Sequence, residues 1–420
     1  MKLKTLKITL VLVLSFLFVN CSEERISEPI NEIELNKTNI TLNVDDTEVL
    51  EVITEINGKS IEWISSDEEI AIVDSDGIVT AKKGGEVIII AKVDEVIAEA
   101  LVTVNPDVFV VGYINDGDKD IPAIWKNGEL QLLDVGFEFK YLYGTSIFVS
   151  GQDVYVGGYG FDLGIDDQVA IVWKNSEPII LSREGENAIT NSIFIRDNNV
   201  YVSGHVTYSG SNNGIIWKNF SQQNIIGIED GSIETTSVYV SENGDEYVLG
   251  KSMSYHYYMV WKNGELIEPT FQSDLRSVQS IYEKNNNIYV LGHRGEFTTF
   301  TPTIWRNGIP ENVTNETGRY EASSMFVSDE GDVYVIGSRL DSSRESGMVW
   351  VNGVPQMLES TTGNHVRPYS IYVVGDDVYV CGIEWFNNGY SSKAKLWVNG
   401  IESELPNQSE DSAALAVFVR

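Results

Sequence analysis

Histidine, cysteine and carboxylate carry most protein chemistry, and their placement in this chain narrows the options quickly. His205, His256, His293 and His365 are scattered, and neither Cys21 nor Cys381 has a neighbour to chelate with, so no zinc spacing exists. No nucleophile elbow, phosphate-cradling glycine loop or HExxH string occurs. Asp116, Asp118 and Asp120 (in NDGDKD) alternate as the carboxylates of a calcium loop do. The glycine and distal glutamate of an EF-hand are out of register with them, so a solvated acidic loop is expected. Carboxylate pairs for glycoside cleavage could be drawn from Asp162, Asp166, Asp167 or Glu384, but the required separation of roughly 5–10 Å is not a property of sequence spacing. No metal, no cofactor and no catalytic residue is assigned.

What remains is binding chemistry. A glycine recurs at the end of an aromatic-Val-x-Gly string, and the residues that follow it are Tyr113, Tyr159, His205, Lys251, His293, Ser338 and Ile383. Five of these seven can hydrogen-bond through rings or a charge. Further aromatic residues lie just beyond, among them Phe161, Tyr208, Tyr255, Tyr257, Tyr258, Phe297, Phe300, Trp385, Phe386 and Tyr390. Flat rings beside polar groups suit sugar faces or a protein partner, because they supply contact area at little cost in ordering entropy. Tyr113, Tyr159, His205, Lys251, His293, Tyr257 and Trp385 are the expected ligand-binding set.

A repeat must position these residues. Tryptophan recurs at 125, 173, 217, 261, 305, 350 and 397, each with asparagine two residues later, and the glycines fall at 112, 158, 204, 250, 292, 337 and 382. The glycine intervals are 46, 46, 46, 42, 45 and 45, which makes seven repeats over residues 106–420. Each repeat reads as four short strands. The first is of the SIFV type (146–149, 192–195, 237–240, 280–282, 324–327, 370–373), and a tight turn with Asp or Asn leads to the VYVGG-type second strand. A longer loop precedes the tryptophan strand, and Asn-Gly then suits a type I′ hairpin into the fourth. The first repeat lacks its SIFV strand, and AVFV at 416–419 supplies it, closing the ring without exposed edges. The expected fold is all-β, an immunoglobulin-like β-sandwich followed by a seven-bladed β-propeller. The tryptophans and glycines, equivalent in every blade, are structural. The longer second-to-third and fourth-to-first connections share one face, where function is expected to sit near the mouth of a central channel.

Residues 31–105 run in short alternating strands (40–44, 60–65, 70–74, 77–81, 86–93, 98–104) with turns at Asn57-Gly58, Ser75-Asp76-Gly77 and Gly84-Gly85. This reads as an antiparallel sandwich with Trp63 as its core aromatic. The string WISSDEEIAIVDSDGIVTAKKGGEVIIIA resembles the bacterial immunoglobulin-like group 2 (BIG2) domain, with Trp63, Ser65, Ser66, Asp67, Ala71, Val73, Asp74, Gly77, Val79, Ala81 and Gly85 in its characteristic places. The resemblance implies a spacer or adhesive module outside the cell, and it brings no catalytic set.

The N-terminus is an address. Residues 1–7 are basic, residues 8–19 are an uncharged apolar run, and Cys21 follows. Twelve helical residues would reach only about 18 Å of a roughly 30 Å hydrocarbon core, so the run reads as an export signal and not a membrane span. A cysteine at its end resembles the lipoprotein signals of bacteria, which implies lipidation at Cys21 after removal of residues 1–20, with 21–30 as a tether. Ser22, Glu23 and Glu24 resemble the tag that directs lipoproteins to the outer cell surface, so an outer-membrane anchor facing the exterior is expected. With Cys21 lipidated, Cys381 has no partner and reads as a small buried apolar residue. The formal charge of −33, from 29 basic and 62 acidic residues, repels phosphate backbones and excludes nucleic acid as a partner. The expected function is a monomeric, non-enzymatic cell-surface module that binds an extracellular glycan or protein. A carbohydrate-active glycosidase or lyase on a propeller scaffold and a structural envelope protein are the alternatives.

Overall fold

The computed structural model of the chain describes residues 30–136, 139, 141–162, 167–183, 185–208, 210–224, 232–252, 258–267, 275–295, 301–341, 344–386, 391–403, 405–406 and 411–420. Among the described residues every regular element is a strand, and no helix is long and apolar enough to cross a membrane. Cys21 and Tyr257 lie outside the described residues, as do His256 and the loop aromatics at 255, 297, 300 and 390.

The N-terminal sandwich packs a four-stranded sheet, in the order Asn39–Asn43, Val96–Asn105, Gly85–Val93, Glu62–Ser65, against a three-stranded one of Thr47–Val49, Ile78–Ala81 and Ala71–Val73. Alternation along Gly85–Val93 buries Val87, Ile89, Ala91 and Val93 between the sheets and turns Glu86 and Ile88 outward. Two expectations are corrected. The sheet is not wholly antiparallel, since Asn39–Asn43 runs parallel to Val96–Asn105. One extended stretch, split by a turn at Asp45 (φ 71°), serves both sheets, so its first half reaches the edge beside the last strand. Trp63 is half-buried at the margin of the core, where its ring lies 2.9 Å from the position a Cβ on Gly77 would take.

The rest of the chain forms units of four strands. Taken from the inside outward, the first strands are Tyr141–Ser150, Asn187–Arg196, Ile233–Val240, Leu275–Lys284, Tyr320–Val327, His365–Val374 and Ser412–Val419. The second strands are Asp153–Asp162, Asn199–Tyr208, Glu246–Ser252, Asn287–Arg294, Val333–Leu340 and Asp377–Trp385, and Val108–Asn115 pairs antiparallel with Ser412–Val419. The AVFV string thus lies in a strand that pairs with the first strand after the Ig-like domain. We number the units 1 to 7 from Val108, with unit 1 containing Ser412–Val419. The apolar cores lie between neighbouring units, as where Tyr155, Ala170 and Val172 of unit 2 meet Ile193, Val202 and Trp217 of unit 3.

The repeat residues explain themselves locally. Asn127, Asn175, Asn219, Asn263, Asn307, Asn352 and Asn399 all take φ near +50°, as the first residue of a type I′ turn must. Each amide oxygen accepts the N–H that opens the second strand, at 2.8–2.9 Å. Each amide nitrogen donates to the Asp or Asn of the neighbouring turn, at 2.7–2.9 Å. The asparagine thus satisfies one strained turn and ties it to the next.

The first strands begin about five residues earlier than the SIFV strings, because each carries a β-bulge. The register slips at 144/146, 190/192, 235/237, 278/280, 322/324, 368/370 and 414/416. The bulge interrupts two-residue alternation, so sequence periodicity shows only the second half of the strand. It also swings a first-strand carbonyl (Tyr143 O, Ile189 O, Ser277 O, Arg367 O) into the space a Cβ would occupy on the facing Gly158, Gly204, Gly292 or Gly382. The buried tryptophan of the third strand lies on the same glycine, 2.8 Å from that position at Gly158 and at Gly204. Glycine and tryptophan recur together because both answer to the bulge.

Candidate functional site

The skipped residue of each bulge is out of register with the sheet, and it lines the central channel: Thr145, Asn191, Thr236, Gln279, Ser323, Tyr369 and Leu415. Deeper in the channel stands one aromatic ring per unit. Phe148, Phe194, Tyr239, Tyr282, Phe326, Tyr372 and Phe418 touch in sequence and return to Phe148, with centroids 4.7–5.8 Å apart. The cycle rings the channel. The channel holds about 450 Å³ and is lined from Thr145 and Tyr369 past these rings to Arg196, Lys284 and Asp329.

On the loop face lies a pocket of about 400 Å³ between units 5, 6 and 7. His293 and Ser277 come from unit 5, Glu321, Ser323 and Ser338 from unit 6, and Arg367 and Tyr369 from unit 7, with Glu345 on the third strand of unit 6. Gln279, Ser323 and Tyr369 line both pocket and channel, so the two are continuous.

The titratable groups here are tightly engaged. The Ala322 N–H donates to His293 Nε2 (2.7 Å), which leaves the ring proton on Nδ1, 2.6 Å from Ser277 Oγ. His293 is buried, and burial lowers its pKa to about 4. Arg367 donates from Nε and Nη2 to the two oxygens of buried Glu345, at 2.7 and 2.8 Å. Its guanidinium also stacks on Trp385, 4.7 Å from the ring centroid. The Glu345 N–H donates to His365 Nδ1 (3.0 Å), and the His365 ring meets Trp385 edge-on. Burial raises the Tyr369 pKa against the opposing effect of Arg367.

The expected ligand-binding residues divide accordingly. They do not open loops as expected: each second strand continues past its glycine, so Tyr113, Tyr159, His205, Lys251 and His293 lie within strands, as do Phe161 and Trp385. The strands are longer because the bulge lets their pairing extend beyond the glycine. His293 lines the pocket, and Trp385 supports it through Arg367. Tyr113 and Tyr159 meet through Tyr143, with centroids 5.1 and 5.5 Å away. Burial, with Asp411 and Asp120 adding, pushes the Tyr113 hydroxyl up to about 12. His205 is half-buried, its pKa lowered by burial against the pull of Glu234, while Lys251 stands opposite Glu234 in strand register.

The remaining candidates have structural partners. Asp116 accepts the N–H groups of Asp118 and Lys119 (3.0 Å each), and Asp120 is held by Asn115 and Tyr143 (2.7 Å each). Among the described residues no group of His, Cys, Asp and Glu could hold a metal ion. Glu384 is buried and pairs with Lys395 at 3.0 Å, and Lys395 also bonds Glu402. Tyr258 opens a third strand and is buried, and so is the unpaired Cys381. Sequence reasoning missed Tyr143, Gln279, Glu321, Glu345, Arg367 and Tyr369. The residue before each SIFV-type string (Thr, Asn, Thr, Gln, Ser, Tyr, Leu) breaks the symmetry of the repeat, and that was the available signal.

Comparison with known proteins supports the fold. Residues 29–104 match the bacterial Ig-like domain (group 2). No curated protein matches the chain in sequence. Among solved structures, a hypothetical selenium-binding protein from Sulfolobus tokodaii is similar at a TM-score of 0.50 and 9% identity, over 75% of this chain and 94% of that one. The β-propeller domain of the Trilobed protease from Pyrococcus furiosus is similar at 0.44 and 10%, over 78% and 94%. TolB from Acinetobacter baumannii is similar at 0.43 and 9%, over 79% and 96%. At such identities the likeness is one of fold alone. The chain is all-β, an Ig-like domain followed by a β-propeller.

Proposed function

We propose that the protein is an exported, lipid-anchored binding module whose seven units form one closed propeller, and whose loop-face pocket takes an extracellular glycan or protein. The observation that carries this reading is the state of the pocket groups. His293 is engaged at both nitrogens and Glu345 accepts both Arg367 bonds, while the pocket keeps hydroxyls, an amide and the Tyr369 ring for contact. Fixed polar groups around a preformed concavity are the pattern of recognition. Hydrolysis of a glycoside would need an acid and a base or nucleophile across the bond, and the buried Glu345 is committed to Arg367. The Ig-like match and the acidic surface agree with an extracellular setting for the module.

Residues 22–420 applied to a glycan array, and used as bait for surface proteins, test the reading. Binding that weakens about tenfold in Glu321→Gln or Tyr369→Thr supports it. No binding, or binding that neither substitution alters, overturns the site. The anchor is tested separately: Cys21→Ser is expected to release the protein from membranes, and an unchanged membrane fraction would refute lipidation there.

A further inference from the structure

We infer that the far end of the channel, beside the turns between first and second strands, is a second binding site. It takes a small oxyanion, held by Arg196, Lys284 and the Tyr239 hydroxyl. The site is separate from the loop-face pocket and does not depend on the reading above. Each first strand turns its aromatic ring into the channel, and strand alternation brings the residue two places on to the same side. At that place stand Arg196 in unit 3 and Lys284 in unit 5, both lining the channel, whereas units 2, 4 and 6 carry Ser150, Ser241 and Ser328. The repeat therefore does not demand a cation there. Nor does it demand a hydroxyl on the ring, since four units carry phenylalanine, as at Phe148 and Phe194. Tyr239 nevertheless stands in unit 4, between the two units that supply the cations. Burial raises the pKa of its hydroxyl, while Arg196 and Lys284 both oppose the rise, so the two positive groups converge on that oxygen.

The state of the cations carries the argument further. Arg196 stacks over Phe194, 5.7 Å from the ring centroid, and that contact uses none of its N–H groups. Among the described residues Arg196 has no ion-pair partner, and its buried Nε has no hydrogen-bond acceptor. A buried donor without an acceptor is costly, and an anionic oxygen there accepts a charge-assisted bond from the guanidinium. Lys284 is bonded to Glu242 at 2.8 Å and to Asp329 at 2.6 Å. Those carboxylates are 67% and 81% exposed, so water screens both pairs, and the ammonium keeps a third donor. Asp329 also lines the channel, and its exposure puts this end in contact with solvent. Arg196 and Lys284 against Asp329 leave the channel lining with a surplus of positive charge, in a chain whose formal charge is −33. The loop-face pocket has the opposite balance, with Glu321 and Glu345 against Arg367. An oxyanion is therefore favoured at the turn end of the cavity and disfavoured at the other.

Calorimetric titration of residues 22–420 with sodium sulfate, phosphate and acetate, each against sodium chloride of equal ionic strength, tests the inference. The chloride reference removes the general effect of salt on an acidic protein. The expected result is saturable binding with a Kd of about 1 mM or below, and the ion that binds tightest distinguishes a tetrahedral anion from a carboxylate. Arg196→Met keeps the stack on Phe194 and is expected to weaken binding at least about tenfold, with Lys284→Met losing about as much. Tyr239→Phe installs the residue that four other units carry, so it preserves the fold, and it is expected to lose about threefold. Tyr369→Thr, at the loop-face pocket, is expected to leave oxyanion affinity within about twofold, so failure at one site is distinguishable from failure at the other. No heat beyond that of chloride with any of the three ions overturns the inference. Binding that neither Arg196→Met nor Tyr239→Phe weakens overturns it as well, and the loop-face reading stands in either case.

Discussion

At Gly204 the carbonyl of Ile189 occupies the space a side chain would need, and the Trp217 ring lies 2.8 Å from the same point. Gly204→Ala is therefore expected to cost about 3 kcal/mol or more, since neither a backbone carbonyl nor a buried indole can move aside cheaply. Denaturant unfolding measures it, and a loss below 1 kcal/mol would contradict the bulge geometry. His293 supports a second prediction. Its folded pKa, about 4, is below the ordinary histidine value of about 6.5, so between these values the unfolded chain binds the extra proton. Stability is then full above pH 6.5 and falls as the pH drops toward 4, by up to about 3 kcal/mol from this group. His205, also lowered, adds in the same direction. His293→Gln keeps a donor and an acceptor but cannot titrate, so its stability is expected to fall less between pH 7 and 4.5. An equal fall in both proteins would sink the assignment.

Among elements, the Asn clamp joins the two turns of each unit, and Asn352 shows its parts: φ of 49°, a bond from the Val333 N–H, and a bond to Asp332. Asn352→Ala loses all three and is expected to cost about 1–2 kcal/mol, while Asn352→Asp keeps the acceptor but faces Asp332 and is expected to cost more at pH 7 than at pH 3. Melting curves at the two pH values check this. These local devices were legible in sequence, because Trp125 through Trp397, their asparagines and their glycines each answer to a geometry set within one repeat. The bulge was not legible, since it is a relation between two strands that erases the alternation by which the first is recognised. The pocket was legible only through His293, with Trp385 in support. Glu321, Glu345, Arg367 and Tyr369 come from units 6 and 7, and only the packing of successive units brings them against Ser277 and His293 of unit 5.

For the whole molecule, closure rests on Ser412–Val419. Its removal would leave Val108–Asn115 without its inner neighbour and open the aromatic cycle between Tyr372 and Phe148. A chain ending at 411 is expected to lose cooperative unfolding in calorimetry; an unchanged transition would contradict closure. The C-terminal Arg420 also reaches the Ig-like domain, pairing with Asp107 at 3.0 Å and with Asp45 at 2.7 Å, while Pro106 packs on Gly84. The Ig-like domain thus contacts the propeller, which refines its expected part as a spacer. The central claim is that ligand enters the loop face at units 5 to 7, and the most direct measurement is a crystal structure of residues 22–420 with the tightest-binding sugar from the array. The predicted result is a sugar ring against Tyr369, bonded to Gln279 and Glu321. Sugar on the outermost strands, on the turn face or on the Ig-like sheets would contradict the account.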